Sequence, residues 1–280
     1  MRLPPEALLR RFDLRDAEWV AGTRHAQVWK VRLRSGDWGA LKCYPAGDMG
    51  NEATGLLFLE RAQEAGAVRV LGRSADAVLM EWLDGPSLGD LVRDQIPHTD
   101  QRLEAVDGAV AEVARRAFDA AISTERLAPL AELIAPLQAV RFTTPEARAA
   151  QAMVLPLQAD FSAGGCEVAA LHGDLHHDNV IKTPAGLRAI DPKGLAGPPA
   201  YELANAFRHP RGCADVSARA TVIRRRAILW GEVAGCGAST QLHWAILKVL
   251  LSMMWSGEEN PLERLLLRQM LKVSQDGLPD

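Results

Sequence analysis

An α+β fold in two lobes is expected, with a small β-rich lobe over residues 1–83 and a larger, mostly helical lobe over 84–280. Three observations predict it. Short alternating runs separated by turn signals fill the first lobe. Alanine- and leucine-rich stretches at helical spacing fill most of the second. One polar segment, Leu171 to Asp191, interrupts that helical pattern.

Glu18 to Ala21 is a short extended candidate. In Gln27 to Leu33, Val28, Lys30 and Arg32 alternate with Trp29, Val31 and Leu33, which is the period of a strand. Ser35-Gly36-Asp37 marks a turn, and Trp38 to Tyr44 is the returning arm of a hairpin. Residues 51–65 carry Leu56, Leu57, Leu59 and Ala62 at helical spacing and stop at Gly66. Two further strands, 68–71 and 77–82, surround Gly72-Arg73-Ser74. Leu83-Asp84-Gly85-Pro86-Ser87 then breaks the composition and sets the lobe boundary. Ser87 caps a short helix through Arg93. Helices are expected at about 101–123, 125–139 and 145–161, then a small hairpin from Val180-Ile181 and Leu187 to Ile190. Helices follow again at about 200–207, 214–234, 240–256 and 260–273.

The chain has 280 residues, 48% of them hydrophobic, enough for one large domain or two joined lobes. A net charge of −3 leaves no basic excess to favour nucleic acid. Cys43, Cys166, Cys213 and Cys236 form no CxxC pair, so neither a disulfide framework nor a zinc site is expected. The N-terminus lacks an apolar core of signal-peptide length, and the run Trp244 to Trp255 is short and interrupted by Lys248. A soluble cytoplasmic protein with no membrane partner is the expectation. Only six residues are lysine (30, 42, 182, 193, 248 and 272), so each lysine in apolar surroundings asks for a reason.

Function enters at LHGDLHHDNV, residues 171–180, followed by Ala189-Ile190-Asp191-Pro192. Asp174, then Asn179, then Asp191 after a short hairpin is the spacing of a phosphoryl-transfer loop. There one Asp takes the acceptor hydroxyl's proton, while an Asn and a second Asp offer hard oxygen atoms to Mg²⁺. Asp174 is the candidate catalytic base, and Asn179 and Asp191 are the candidate metal and nucleotide ligands. Lys42, on the second arm of the first-lobe hairpin, is placed to hold nucleotide phosphates, and Glu52 opens the next helix where it can pair with that lysine. Met80 to Leu83 lies at the lobe junction, where the backbone of Glu81 and Leu83 can meet an adenine edge. The turn at 21–27 holds one glycine, not the three of a G-x-G-x-x-G loop. Its N–H groups from Thr23 to Ala26 either face phosphate or close a plain hairpin. His172, His176 and His177 beside Asp174 and Asp178 also admit a His-ligated metal, as in a metallohydrolase. The common H-x-H-x-D-H spacing is absent and Gly173 works against a helix here, so these histidines read as bracing for the loop. The lobe order together with this loop is that of a protein-kinase-like fold.

The sequence resembles the aminoglycoside/hydroxyurea antibiotic resistance kinase family, the streptomycin 6-kinase-like aminoglycoside phosphotransferases. AIDPKGLAGPPAYELAN at 189–205 is the most family-specific stretch. LHGDLHHDNV, ALKCY at 40–44 and MEWLDGPSL at 80–88 support it, and the likeness in organisation spans nearly the whole chain. The resemblance implies ATP with Mg²⁺ and phosphorylation of a hydroxyl on a small molecule. It implies Asp174 as base, Asn179 and Asp191 as metal ligands, Lys42 on phosphate, and Glu202 as an acid bracing the catalytic loop. Lys193 either approaches phosphate or faces solvent. Glu258, Glu259, Asp100 and Asp215 are candidate acids for a polycationic acceptor, each equally a solvated helix-end acid. The alternative from another class is a nucleotide-binding pseudokinase without turnover.

Overall fold

Period-2 alternation in the first lobe builds a five-stranded antiparallel sheet. A computed structural model describes residues 3–94, 99–258 and 260–279. The chain begins with helix α1 (Glu6–Arg11), then strands β1 (Arg15–Gly22), β2 (Gln27–Arg32) and β3 (Trp38–Cys43). Helix α2 (Ala53–Ala62) follows a 3₁₀ turn, and β4 (Val70–Arg73) and β5 (Ala77–Glu81) complete the sheet in the order β1-β2-β3-β5-β4. One face of the sheet buries Trp29, Val31, Leu41, Ala77 and Leu79 against Leu8 of α1. Its other face packs Val78 and Tyr44 on Leu56 of α2. Burying such side chains contributes about 1.5–3 kcal/mol each. Lys42 sits on this second face, opposite Val78 of β5.

The lobes are stitched together by backbone as well as by side chains. Phe58, Leu59 and Ala62 of α2 share a cluster with Leu127 and Ala170 of the second lobe. Val68 donates its N–H to the Ala189 carbonyl at 2.8 Å, and Ala189 returns one to Gly66 at 2.9 Å. The lobe connection ends in helix α3 (Leu88–Arg93), started by a capping box: Ser87 Oγ accepts from Asp90 N–H while the Asp90 carboxylate accepts from Ser87 N–H.

Beyond it come α4 (Asp100–Asp119), β6 (Ala128–Pro129), α5 (Leu130–Ile134), α6 (Pro145–Ser162), β7 (Ala169–Leu171), β8 (Val180–Thr183), β9 (Gly186–Ala189) and β10 (Leu195–Gly197). They are followed by α7 (Ala214–Ser217), α8 (Ala220–Ala234), α9 (Ala238–Ser256) and α10 (Pro261–Gln275). Strands β8 and β9 form the expected hairpin. The central helix is α9, buried along most of its length against α6, α8 and α10. Among the described residues no helix is long and apolar enough to cross a membrane.

Several expectations are corrected. The helix expected at 125–139 is instead β6, the short α5 and a 3₁₀ turn, because Pro129 and Pro136 cannot donate the N–H groups that a continuous helix needs. Residues 200–207 form two 3₁₀ turns, at Pro199–Tyr201 and Asn205–Arg208, closed by bonds from each N–H to the third carbonyl before it. The helix expected at 214–234 breaks at Arg219, whose extended backbone starts α8 and whose side chain reaches Asp100 at 2.6 Å. The helix expected through 123 ends at Asp119. Helix α1 and the three-stranded sheet β6-β10-β7 were not anticipated, since strands of two or three residues carry no readable period.

Candidate active site

Two loops bring the chemistry together, 172–179 between β7 and β8 and 190–194 between β9 and β10. Glu202, buried, receives both backbone N–H groups at the bend of the first loop, His172 to Oε1 and Gly173 to Oε2, each at 2.9 Å. Burial pushes this carboxyl up to about 7, although both backbone bonds favour its ionised form. His172 accepts from the Asp174 N–H on Nδ1 at 3.3 Å and faces the Ile190 carbonyl with Nε2 at 2.9 Å, so its proton sits on Nε2. Burial lowers the ring to about 4 and keeps it neutral. His172 therefore ties the two loops together.

Asp174 Oδ1 accepts from Asn205 Nδ2 at 2.6 Å. Asn179 Nδ2 donates to the Asp174 carbonyl at 2.9 Å, a bond that leaves the Asn179 amide oxygen to other partners. Ile190 N–H bonds the Asn179 carbonyl at 2.9 Å, setting Asn179 and Asp191 side by side. Asp191 has a backbone φ of 60°, the left-handed region, a conformation held at a cost and common at ligand-binding turns. Its Oδ1 lies 2.6 Å from Lys42 Nζ, and Lys42 also pairs with Glu52. Burial favours a neutral Lys42, but Asp191, Tyr44 and Glu52 outweigh it and hold the ammonium charged. The Asp191 carboxyl lies below its ordinary value because Lys42 overcomes the opposing effect of burial. One neutral and one anionic oxygen on adjacent loops, backed by an ammonium, suit Mg²⁺ that keeps waters and phosphate oxygens as its other ligands.

Close backbone approach fixes where the 190–194 loop sits. Thr54 Oγ1 donates to the Lys193 carbonyl at 2.8 Å. A Cβ on Gly55 would lie 2.1 Å from the Pro192 carbonyl oxygen, and one on Gly194 would lie 2.0 Å from the Thr54 carbonyl oxygen. Gly55→Ala is accordingly expected to cost about 1–3 kcal/mol and to weaken nucleotide binding by displacing Asp191. Thermal unfolding and nucleotide titration check this, and an unchanged variant in both would refute the close-packing account.

A cleft of about 1270 Å³ opens over Asp174. Its lining includes Tyr44, Glu52, Glu132, His176, Lys193, Asn205, Arg208, Lys248, Trp255 and Glu263. Asn205, Arg208 and Lys248 were missed from the sequence. Asn205 ends the PAYELAN stretch and had no spacing signal of its own. Glu81 and Leu83 lie at the lobe connection and not on this cleft. The Glu81 carboxylate accepts from Arg69 N–H at 2.9 Å, and Leu83 packs on the Phe58 cluster. The turn at 22–27 is a closed hairpin: Thr23 Oγ1 accepts from His25 and Ala26 N–H at 3.1 and 3.2 Å, so those groups are turned inward, away from any phosphate.

Glu258, Asp100 and Asp215 lie away from this cleft. Glu258 caps α6 through Thr143 and Thr144 N–H at 2.7 and 2.9 Å, and Asp100 pairs with Arg219. Neither of them, nor Asp215, lines the cleft, and Glu259 is outside the described residues. The histidines serve the scaffold. His177 bonds the buried Asp107 at 2.8 Å, and His176 stacks on His209 at 3.6 Å. His176, Asp178 and His209 approach one another closely, but Asp178 is already engaged by Arg93, by Arg211 N–H and by His209, which fits a neutral bracing cluster and not a metal centre.

The family model for "Aminoglycoside/hydroxyurea antibiotic resistance kinase" matches residues 11–260. The chain belongs to this kinase family. It is a small-molecule kinase, a phosphotransferase acting on a hydroxyl group. The streptomycin 3''-kinase of Klebsiella pneumoniae is 34% identical over 198 residues, 70% of each chain. Among solved structures, the apo form of a thermostable mutant of the aminoglycoside phosphotransferase APH(4)-Ia superposes with a TM-score of 0.63 at 17% identity, over 98% of this chain and 99% of that one. The choline kinase LicA of Streptococcus pneumoniae gives 0.65 at 12% identity, covering 97% of each chain, and LicA has also been solved with AMP. These likenesses establish the protein-kinase-like fold, and membership of a kinase family implies that this kinase uses ATP.

Proposed function

We propose that this kinase transfers the γ-phosphoryl group of MgATP to a hydroxyl of an aminoglycoside, with streptomycin the first acceptor to test. The observation that carries the reading is Asp174, which lines a large cleft and is held by Asn205, on a loop that His172 ties to the Ile190 carbonyl next to the Lys42-paired Asp191. Asp174 orients the acceptor hydroxyl and accepts its proton, while the Asn205 amide keeps the carboxylate aimed. Asn179 and Asp191 hold Mg²⁺, which neutralises charge on the phosphates when bound. Lys42, kept charged by Glu52, contacts nucleotide phosphate, and the backbone of Glu81 and Leu83 contacts the base. Because the turn at 22–27 spends the Thr23, His25 and Ala26 N–H groups internally, the grip on phosphate falls to Lys42 and Lys193. Lys193 lines the cleft beside Asp174. Residues 1–83 act as the nucleotide lobe and 84–280 as the acceptor lobe, in a cytoplasmic enzyme.

A coupled ADP-release assay over streptomycin, other aminoglycosides, hydroxyurea, sugars and amino alcohols tests this. Turnover with an aminoglycoside supports the reading. Nucleotide binding without turnover on any acceptor would favour the pseudokinase instead. Asp191→Ala is expected to weaken MgATP binding at least about tenfold, roughly 1.4 kcal/mol, and to abolish the Mg²⁺ dependence of nucleotide affinity by calorimetry. Retained metal-dependent affinity would remove Asp191 from the site.

A further inference from the structure

Lys248 is one of six lysines and lies midway along α9, the most buried helix of the second lobe. It is 8% exposed and lines the cleft over Asp174. Its surroundings offer it little. The acids whose charge favours its ammonium are Asp174 first and then Glu263. Asp174 already accepts from Asn205 at 2.6 Å, and Glu263 is spent on Arg208 Nε at 3.0 and 3.1 Å and on the Ser252 hydroxyl at 3.0 Å. Arg208 in turn holds Asn205 Oδ1 at 2.7 Å, and Asn205 holds Asp174. Among the described residues the Lys248 ammonium meets the face of Trp255, 5.3 Å away. Burying a cation without an oxygen partner is costly, so an ammonium left this way at a cleft wall is built to be completed from the cleft.

We infer that Lys248 is a specificity-determining residue of the acceptor site: its ammonium donates to an oxygen substituent of the acceptor close to the hydroxyl that is phosphorylated. The inference rests on the phosphotransferase reading of this cleft and narrows its substrate class. The part of the acceptor nearest Asp174 must carry hydroxyl, carbonyl or carboxylate oxygen, and a cationic nitrogen is excluded there by repulsion. The amines or guanidines of an aminoglycoside then belong at Glu132 and Asp48, which also line the cleft, Glu52 being held by Lys42. Burial pushes the Lys248 ammonium down to about 8. Asp174 on the catalytic loop and Glu263 on α10 act to raise it, and Arg208 and Lys193 act to lower it.

The test is a KM comparison of wild type, Lys248→Met and Lys248→Gln, with streptomycin as the probe, or with the best acceptor of the panel if another is turned over faster. The expected result is an acceptor KM raised about tenfold or more in Lys248→Met while the KM for ATP stays within about twofold. Thermal stability should hold or rise, because an unpaired buried charge is gone. The wild-type acceptor KM should climb as pH passes about 8, with no such climb in Lys248→Met. An unchanged acceptor KM and pH profile in both variants overturns the inference. So does a parallel loss in acceptor KM, ATP KM and melting temperature, which would make Lys248 a structural residue. Failure of the kinase reading is seen separately, as wild type that releases no ADP with any acceptor.

Discussion

Asp174→Asn is expected to lower kcat by about 10²–10⁴-fold, the usual worth of a positioned general base, while leaving the affinity for MgATP nearly intact. The substitution isolates chemistry from architecture. The Asn205 Nδ2 bond to Asp174 Oδ1 at 2.6 Å can persist with an amide oxygen in place of the carboxylate, and the bonds through the Asp174 main chain do not depend on the side chain. Only the capacity to accept the hydroxyl proton disappears. The loss corresponds to roughly 3–5 kcal/mol of transition-state stabilisation. Steady-state ADP release and calorimetric titration of nucleotide measure the two quantities independently. A variant with wild-type turnover would show that Asp174 is not the base, and one that no longer bound nucleotide would show that it is a structural residue of the nucleotide site.

The second large effect is on stability, and it lies behind the site. Asp107 of α4 is fully buried and accepts from Arg226 Nε and Nη2, from Arg225 Nη2 at 2.8 Å and from His177 Nε2 at 2.8 Å. Arg226, also fully buried, spends its other N–H groups on the Ala206, Phe207 and His209 carbonyls. One carboxylate thus joins α4 and α8 to the catalytic loop and to the segment that carries Asn205. Asp107→Ala leaves the Arg226 charge buried and uncompensated, a loss of about 3–5 kcal/mol. For a chain of this size that corresponds to a melting temperature lower by roughly 6–20 °C. Burial would raise the Asp107 carboxyl, but Arg226 and the His177 bond outweigh it and hold it well below its ordinary value. The sign follows: its contribution is present above about pH 4, the ordinary carboxylate value, and is lost as pH falls below that. Wild type should therefore lose stability in acid through this group, and Asp107→Ala should lack that component. A variant that melts like wild type at neutral pH would remove the network from the stability account.

The sequence is most legible where local chemistry repeats or where a spacing is tied to one reaction. Strands β2, β3 and β5, helix α2 and the β8–β9 hairpin follow from alternation, helical spacing and turn residues over a few positions. Asp174, Asn179 and Asp191 are readable because a loop and a short hairpin hold them at fixed separation. Lys42 and Glu52, ten residues apart, are readable because a strand and the helix after it bring them face to face, and the structure pairs them. Legibility fails where the deciding partner is distant. Glu258 reads as either an acceptor acid or a solvated helix-end acid until Thr143 and Thr144, more than a hundred residues away, claim it as a cap. The turn at 22–27 reads as either a phosphate contact or a plain hairpin until the Thr23 hydroxyl takes the His25 and Ala26 N–H groups. Asp107 reads as one more acid in a helix until α8 closes over it.

By itself, then, the sequence determined the lobe order, the kinase family and the lysine that pairs with Asp191, because each is encoded over short stretches whose spacing the backbone preserves. Only the tertiary structure decided which carboxylates are spent on arginines or helix ends, and that the cleft-lining Lys248 meets an aromatic face, Trp255. Ionic groups take their energies from neighbours and from burial, and both are set by packing between segments far apart in the chain.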